Sequence, residues 1–124
     1  MYYGAFASKE DVCKEFEIDG IEGTVLFAAY DLDGYEGSAV VLFVRDGKFY
    51  FVSGSHCSCY DLEGQWSPEE MELEALLHIT RKGGYVPDAY KPQLEATLRV
   101  VEELMLEGAP ELHIEIAVRL AFTG

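Results

Sequence analysis

The apolar and polar positions divide the chain into segments of two periodicities. Val12 and Phe16 lie four apart behind Ser8-Lys9-Glu10-Asp11. A serine hydroxyl can cap free backbone N–H groups, and the acids suit the positive end of a helix dipole. Residues 9–17 are therefore expected to form a short helix. Residues 24–30, Thr-Val-Leu-Phe-Ala-Ala-Tyr, are β-branched and aromatic enough for a strand, and residues 31–37 read as a turn-rich loop. Residues 39–45 and 48–52 are apolar-rich and flank Asp46-Gly47, which supplies the positive φ angles of a two-residue hairpin. Ser67-Pro68-Glu69-Glu70 has the form of a capping box, so a helix is expected over 68–81, with Leu73, Leu76 and Leu77 as its buried stripe. Pro92 opens a helix over 92–107 with Leu94, Leu98, Val101 and Met105 on one face. Leu112, Ile114, Ile116, Val118 and Leu120 alternate with other residues, which favours a strand over 112–120. A helix over 110–122 is the competing reading, with Glu115 and Arg119 four apart. The sum is an α+β single domain, 1–124: a small antiparallel sheet with about three helices on one face.

Composition narrows the class. Hydrophobic residues make up 49% and aromatic residues 13%, enough for a real core. No apolar run approaches the roughly 18 residues that span a bilayer. Residues 1–16 lack a basic stretch followed by an apolar one, so no secretory signal is expected and the cytoplasm is the expected compartment. Three cysteines, Cys13, Cys57 and Cys59, are too few and too odd in number for a disulfide scaffold.

The net charge is −14, from 23 acids against 9 bases. It argues against direct binding to nucleic acid or to an anionic membrane, both of which need clustered Lys and Arg. It suits a partner protein with a basic surface, and it also keeps a small protein dispersed. Seven acids and no base lie between Glu15 and Val44. Between Phe49 and Thr80 the acids are Asp61, Glu63, Glu69, Glu70, Glu72 and Glu74, the expected partner-binding residues. Two such tracts could merge into one negative face resembling a duplex phosphate surface.

Chemistry, if the chain has any, concentrates in residues 54–66, Gly-Ser-His-Cys-Ser-Cys-Tyr-Asp-Leu-Glu-Gly-Gln-Trp. His56, Cys57 and Cys59 are zinc-ligand types, and Asp61 or Glu63 could add an oxygen, but no second Cys or His pair completes a structural zinc site. Thiol catalysis needs a base beside the sulfur, and acidic surroundings oppose the thiolate. The favoured reading is structural: buried cysteines, glycines for tight bends, and Trp66 stapled back onto the following helix around Met71. No catalytic residue and no cofactor is assigned. No nucleophile elbow, phosphate loop or dinucleotide fingerprint is present.

The same block carries a resemblance. Residues 35–43, Asp46-Gly47-Lys48, the run Gly54 to Tyr60, Leu62-Glu63-Gly64-Gln65-Trp66, and the flanking Phe6-Ala7-Ser8, Pro68-Glu69 and Glu74-Ala75-Leu76 resemble a widespread family of small phage and prophage proteins. The resemblance spans roughly residues 6–77, and Asp61 departs from it where glycine is usual. It implies viral origin and the cytoplasm of a bacterial host, and it supplies no reaction. By association, small acidic phage proteins often bind and inhibit a host protein. The leading expectation is thus an accessory protein acting on a host defence or nucleic-acid-handling protein. The alternatives are a small metal- or thiol-dependent enzyme using His56, Cys57 and Cys59, and a minor virion or assembly component. An exposed hairpin edge would also allow a homodimer.

Overall fold

The computed structural model describes residues 2–33, 36–56, 62–82, 86, 88–106 and 108. The elements in chain order are β1 (Tyr2–Gly4), α1 (Lys9–Phe16), β2 (Thr24–Asp33), β3 (Glu36–Arg45), β4 (Lys48–His56), β5 (Glu69–Met71), α2 (Leu73–Lys82), a 3-10 turn (Asp88–Tyr90) and α3 (Lys91–Leu106). The sheet order is β1-β2-β3-β4-β5. β1 runs parallel to β2, and every other pairing is antiparallel. The fold is α+β, with a sheet that is mixed but mostly antiparallel.

The local signals that hold are those with a backbone reason. At the β3–β4 turn, Asp46 has φ 52° and Gly47 φ 76°, which matches the right-handed twist of the flanking strands. The Ser8 hydroxyl accepts from the Asp11 N–H at 3.2 Å, and the Asp11 carboxylate reaches back to the Ala7 N–H at 3.0 Å. Two free donors at the start of α1 are thereby satisfied.

The core lies on both faces of the sheet, not one. Val40, Leu42 and Val44 of β3 pack with Leu76 of α2 and Leu94, Leu98 and Val101 of α3. Ala39, Val41 and Phe43 face the other way, onto Val12 and Phe16 of α1 together with Phe6, Leu62 and Trp66. The expectation of helices on a single face is corrected for this reason. A central strand covered on both sides needs apolar residues at every position, and β3 has them without a break from Ala39 to Val44. In β2 the register skips between Val25 and Phe27, so the bulged Leu26 lies with Phe27 on the α2–α3 side.

Three further expectations are corrected. Residues 31–33 and 36–37, read as loop, extend the β2–β3 ladder, with Asp33 opposite Glu36. Here ladder pairing overrides local turn preference. Ser67-Pro68-Glu69-Glu70 does not start a helix: Glu69–Met71 pairs with Phe49–Phe51, and α2 begins at Leu73. Proline is tolerated beside an edge strand, and pairing there satisfies backbone groups of β4 that would otherwise be open. The β3–β4 hairpin edge expected to be free is covered by β5 at Phe49–Phe51, and β2 is flanked by β1. The strand expected at 112–120 lies outside the described residues. No helix among the described residues is long and apolar enough to cross a membrane.

Candidate functional site

The block singled out by sequence begins as the end of β4. Ser55 is its last residue with a described side chain, and its outer backbone edge pairs with no strand among the described residues. Instead the Gln65 side chain closes that edge. The Ser55 N–H donates to Gln65 Oε1 at 2.9 Å, and Gln65 Nε2 donates to the Ser55 carbonyl at 2.7 Å. One side-chain amide thus substitutes for the backbone of a neighbouring strand. Gly64, at φ 78°, provides the turn that brings Gln65 back to the sheet. Gly54 leaves the room for it. A Cβ there would stand 3.1 Å from Leu62 Cδ2, 3.2 Å from Phe16 Cε1 and 3.4 Å from Gln65 Oε1. Leu62 is fully buried beneath this turn.

Trp66 is not a staple onto α2. Its ring stacks on Phe43 at 5.7 Å and meets Phe16 edge-on at 5.1 Å, on the α1 side of the sheet. Met71 packs on the opposite side. The correction follows from β5: once residues 69–71 form a strand, the chain before them runs along the sheet edge, and Trp66 turns to the α1 face. Phe43 in turn stacks on Tyr50 at 5.3 Å, over which the Arg45 guanidinium lies at 4.6 Å.

The residues proposed for chemistry are less well placed. His56 ends β4 opposite Gly37, and its backbone alone is described. Cys57, Cys59 and Asp61 lie outside the described residues. Among the described residues, no three His, Cys, Asp or Glu side chains gather as a metal site would require. Cys13 is half-buried on α1. Burial pushes its thiol up, against the lowering effect of Lys9, so it is poorly suited to form a thiolate.

The acids are better resolved. Glu63 is exposed in the turn before Gly64, and Glu69 and Glu70 are exposed on edge strand β5. Glu70 meets Lys48 at 3.8 Å. Glu72 and Glu74 are exposed at the start of α2. There they join a residue that sequence reasoning did not select, Glu102 of α3. Glu72, Leu73, Glu74, Leu77 and Glu102 line one shallow depression of about 390 Å³. The antiparallel packing of α2 on α3 makes this possible: Arg81 near the end of α2 reaches Glu95 near the start of α3 at 3.1 Å, so Leu73 meets the far end of α3. The signal for Glu102 was present in the sequence as acids near a helix C-terminus, where the dipole disfavours them.

Some described acids of the two tracts lie on opposite sides of the sheet. Glu15, Glu17 and Asp19 belong to α1 and the turn after it, on one side of the sheet, and Glu22 is held by Arg45 at 3.7 Å. Glu72 and Glu74 belong to the α2 side, with Glu69 and Glu70 at the edge between. No family model, curated protein or solved structure matches the chain.

Proposed function

We propose that this chain is a binding protein whose working surface is the acidic end built from β5, the start of α2 and the end of α3, and that its partner is a protein with a basic surface. The observation that carries the reading is the convergence of Glu72 and Glu74, at the start of α2, with Glu102 of α3, two elements distant in sequence, in a chain of net charge −14. Such a surface accelerates encounter with a cationic one, and the effect falls as salt screens it over a Debye length of about 8 Å at physiological ionic strength. A basic surface that otherwise holds nucleic acid is the target class that fits this chemistry best. The resemblance of residues 6–77 to small phage proteins supports a bacterial host protein as that target, bound and inhibited in the host cytoplasm.

The test is capture from bacterial lysate by the tagged full-length chain, at low and high salt, read by mass spectrometry. A variant with Glu69, Glu70, Glu72 and Glu74 all changed to Lys is run alongside. The expected result is one dominant host protein, retained by the native chain at low salt and lost both at high salt and from the variant. Capture that survives the charge reversal would show that the acidic end is not the binding surface.

A further inference from the structure

We infer that the depression between α2 and α3 anchors an aliphatic side chain carried on a basic amphipathic helix of the partner. This rests on the binding reading above and says what the surface recognises beyond charge. The floor is apolar. Leu73 and Leu77 are half-buried and stand four apart on one face of α2. The rim is anionic, made of Glu72 and Glu74 on one side and Glu102 on the other.

These carboxylates differ from several others on the surface. Glu22, Glu70, Asp88 and Glu95 each face a Lys or Arg within 3.8 Å. Glu72, Glu74 and Glu102 have no side-chain ion pair or hydrogen bond among the described residues. Glu102 and Glu103 also stand near the negative end of the α3 dipole, whose last turn holds no base. Met105, a large hydrophobic residue exposed at 44%, lies three positions from Glu102 and so beside it on the helix surface. An apolar floor inside an uncompensated anionic rim is complementary to one kind of surface, an aliphatic side chain with Lys or Arg at neighbouring helical positions. Recognition of a helix in a groove works through such anchors.

Two other occupants fit worse. The residues after Gly108 carry Glu111 and Glu115 against Arg119, so this chain's own end brings no net positive charge to the rim. A second copy brings the same acids, and like charges set against each other oppose association.

The test uses the full-length chain and two labelled peptides of equal positive charge. One places leucine and lysine at helical spacing, and the other has serine in place of each leucine. Affinity is measured by fluorescence anisotropy, and the site is mapped from methyl NMR shifts. The leucine peptide is expected to bind more than about tenfold tighter than the serine peptide, as burial of an aliphatic side chain predicts. It is expected to shift the Leu73, Leu77 and Met105 methyls. Glu102→Gln, an exposed change that leaves the fold intact, should weaken it about two- to fivefold. Equal affinity for the two peptides, with both lost from the Glu69, Glu70, Glu72 and Glu74 charge reversal, would remove the groove inference and leave the electrostatic reading standing. Binding of neither peptide would remove both. Methyl shifts that depend on protein concentration alone would assign the groove to a second copy. Contacts from residues 112–120 to unshifted groove methyls would assign it to the chain's own end. Either result overturns the inference.

Discussion

The Gln65 amide offers a direct test of whether the 54–66 block is a structural clasp. It makes two hydrogen bonds to the Ser55 backbone, at 2.9 and 2.7 Å. Each is worth about 0.5–1.5 kcal/mol net, and Ser55 is exposed, so water replaces part of what is lost. Gln65→Ala should therefore cost about 1–2 kcal/mol. For a domain of this size that lowers Tm by about 3–12 °C. Gln65→Glu separates the two bonds. Its carboxylate still accepts from the Ser55 N–H, but it sets a negative oxygen against the Ser55 carbonyl where Nε2 had donated. At pH 7 it should be less stable than Gln65→Ala. The sign with pH follows from the same geometry. Repulsion raises the folded pKa of the introduced carboxyl above its unfolded value of about 4.3. The protonated form donates to the carbonyl, so the relative stability of Gln65→Glu is greatest below the unfolded pKa and is lost as pH rises through the folded one. Urea unfolding of the native chain and both variants at pH 7 and near pH 4 measures this, with Trp66 fluorescence as the reporter one residue away. If Gln65→Glu matches Gln65→Ala at pH 7, and its deficit against the native chain does not shrink at low pH, the clasp does not hold the sheet edge.

Two further outcomes are expected. At Gly23, φ is 112° and a Cβ would overlap the Val44 carbonyl, a backbone group that cannot move aside, so Gly23→Ala should cost about 1–3 kcal/mol in urea unfolding. Gly20→Ala, with open space around it, is the matched control and should be near neutral. Glu95 is held below the usual carboxylate range, first by its hydrogen bond from Arg81 and then by that from Arg99. A depressed folded pKa contributes stability above the unfolded value that is lost as pH falls through the folded one. Thermal unfolding of Glu95→Gln between pH 7 and pH 3 should therefore show a shallower acid decline than the native chain.

What could be read along the chain was what the chain decides locally. The Asp46-Gly47 turn, the Ser8 cap and the Leu94, Leu98 and Val101 stripe of α3 each depend on neighbours within a few positions, and each stands where the pattern puts it, while Met105 at the end of that stripe is exposed. β5 does not. Glu69-Glu70-Met71 has little strand preference, and it is a strand because β4 presents an edge to it. The same is true of the Trp66 contacts with Phe16 and Phe43, which join residues far apart in sequence. The unbroken apolar run of β3 did contain the information that both faces are covered, but a search for alternation passes over it. For the site, the bend at Gly64 was legible, whereas Gly54, expected to bend the chain, lies within β4 and leaves room for Leu62, Phe16 and Gln65. The clasp itself was not legible, because a glutamine reads as a solvated side chain until its partner is known.

The positions of the acids bear on why the chain carries so many. Charge that served dispersal alone would be indifferent to local fields. Several acids are placed where the fold uses them: Asp11 at the cap of α1, Glu22 beside Arg45, Glu95 between Arg81 and Arg99. Glu102 and Glu103 are placed where it does not, near the C-terminal end of α3 and with no cation paired to them among the described residues. An acid at that end of a helix opposes the dipole by about 0.3–1 kcal/mol. Glu72 and Glu74 suit the dipole at the start of α2, yet the antiparallel helix pair brings them to the groove that Glu102 also lines. The fold therefore collects favourable and unfavourable acids at one end, around Leu73 and Leu77, with no cation paired to Glu72, Glu74 or Glu102 among the described residues. A partner's Lys or Arg bound there would relieve the unfavourable ones, and that relief would add to affinity without any further contact.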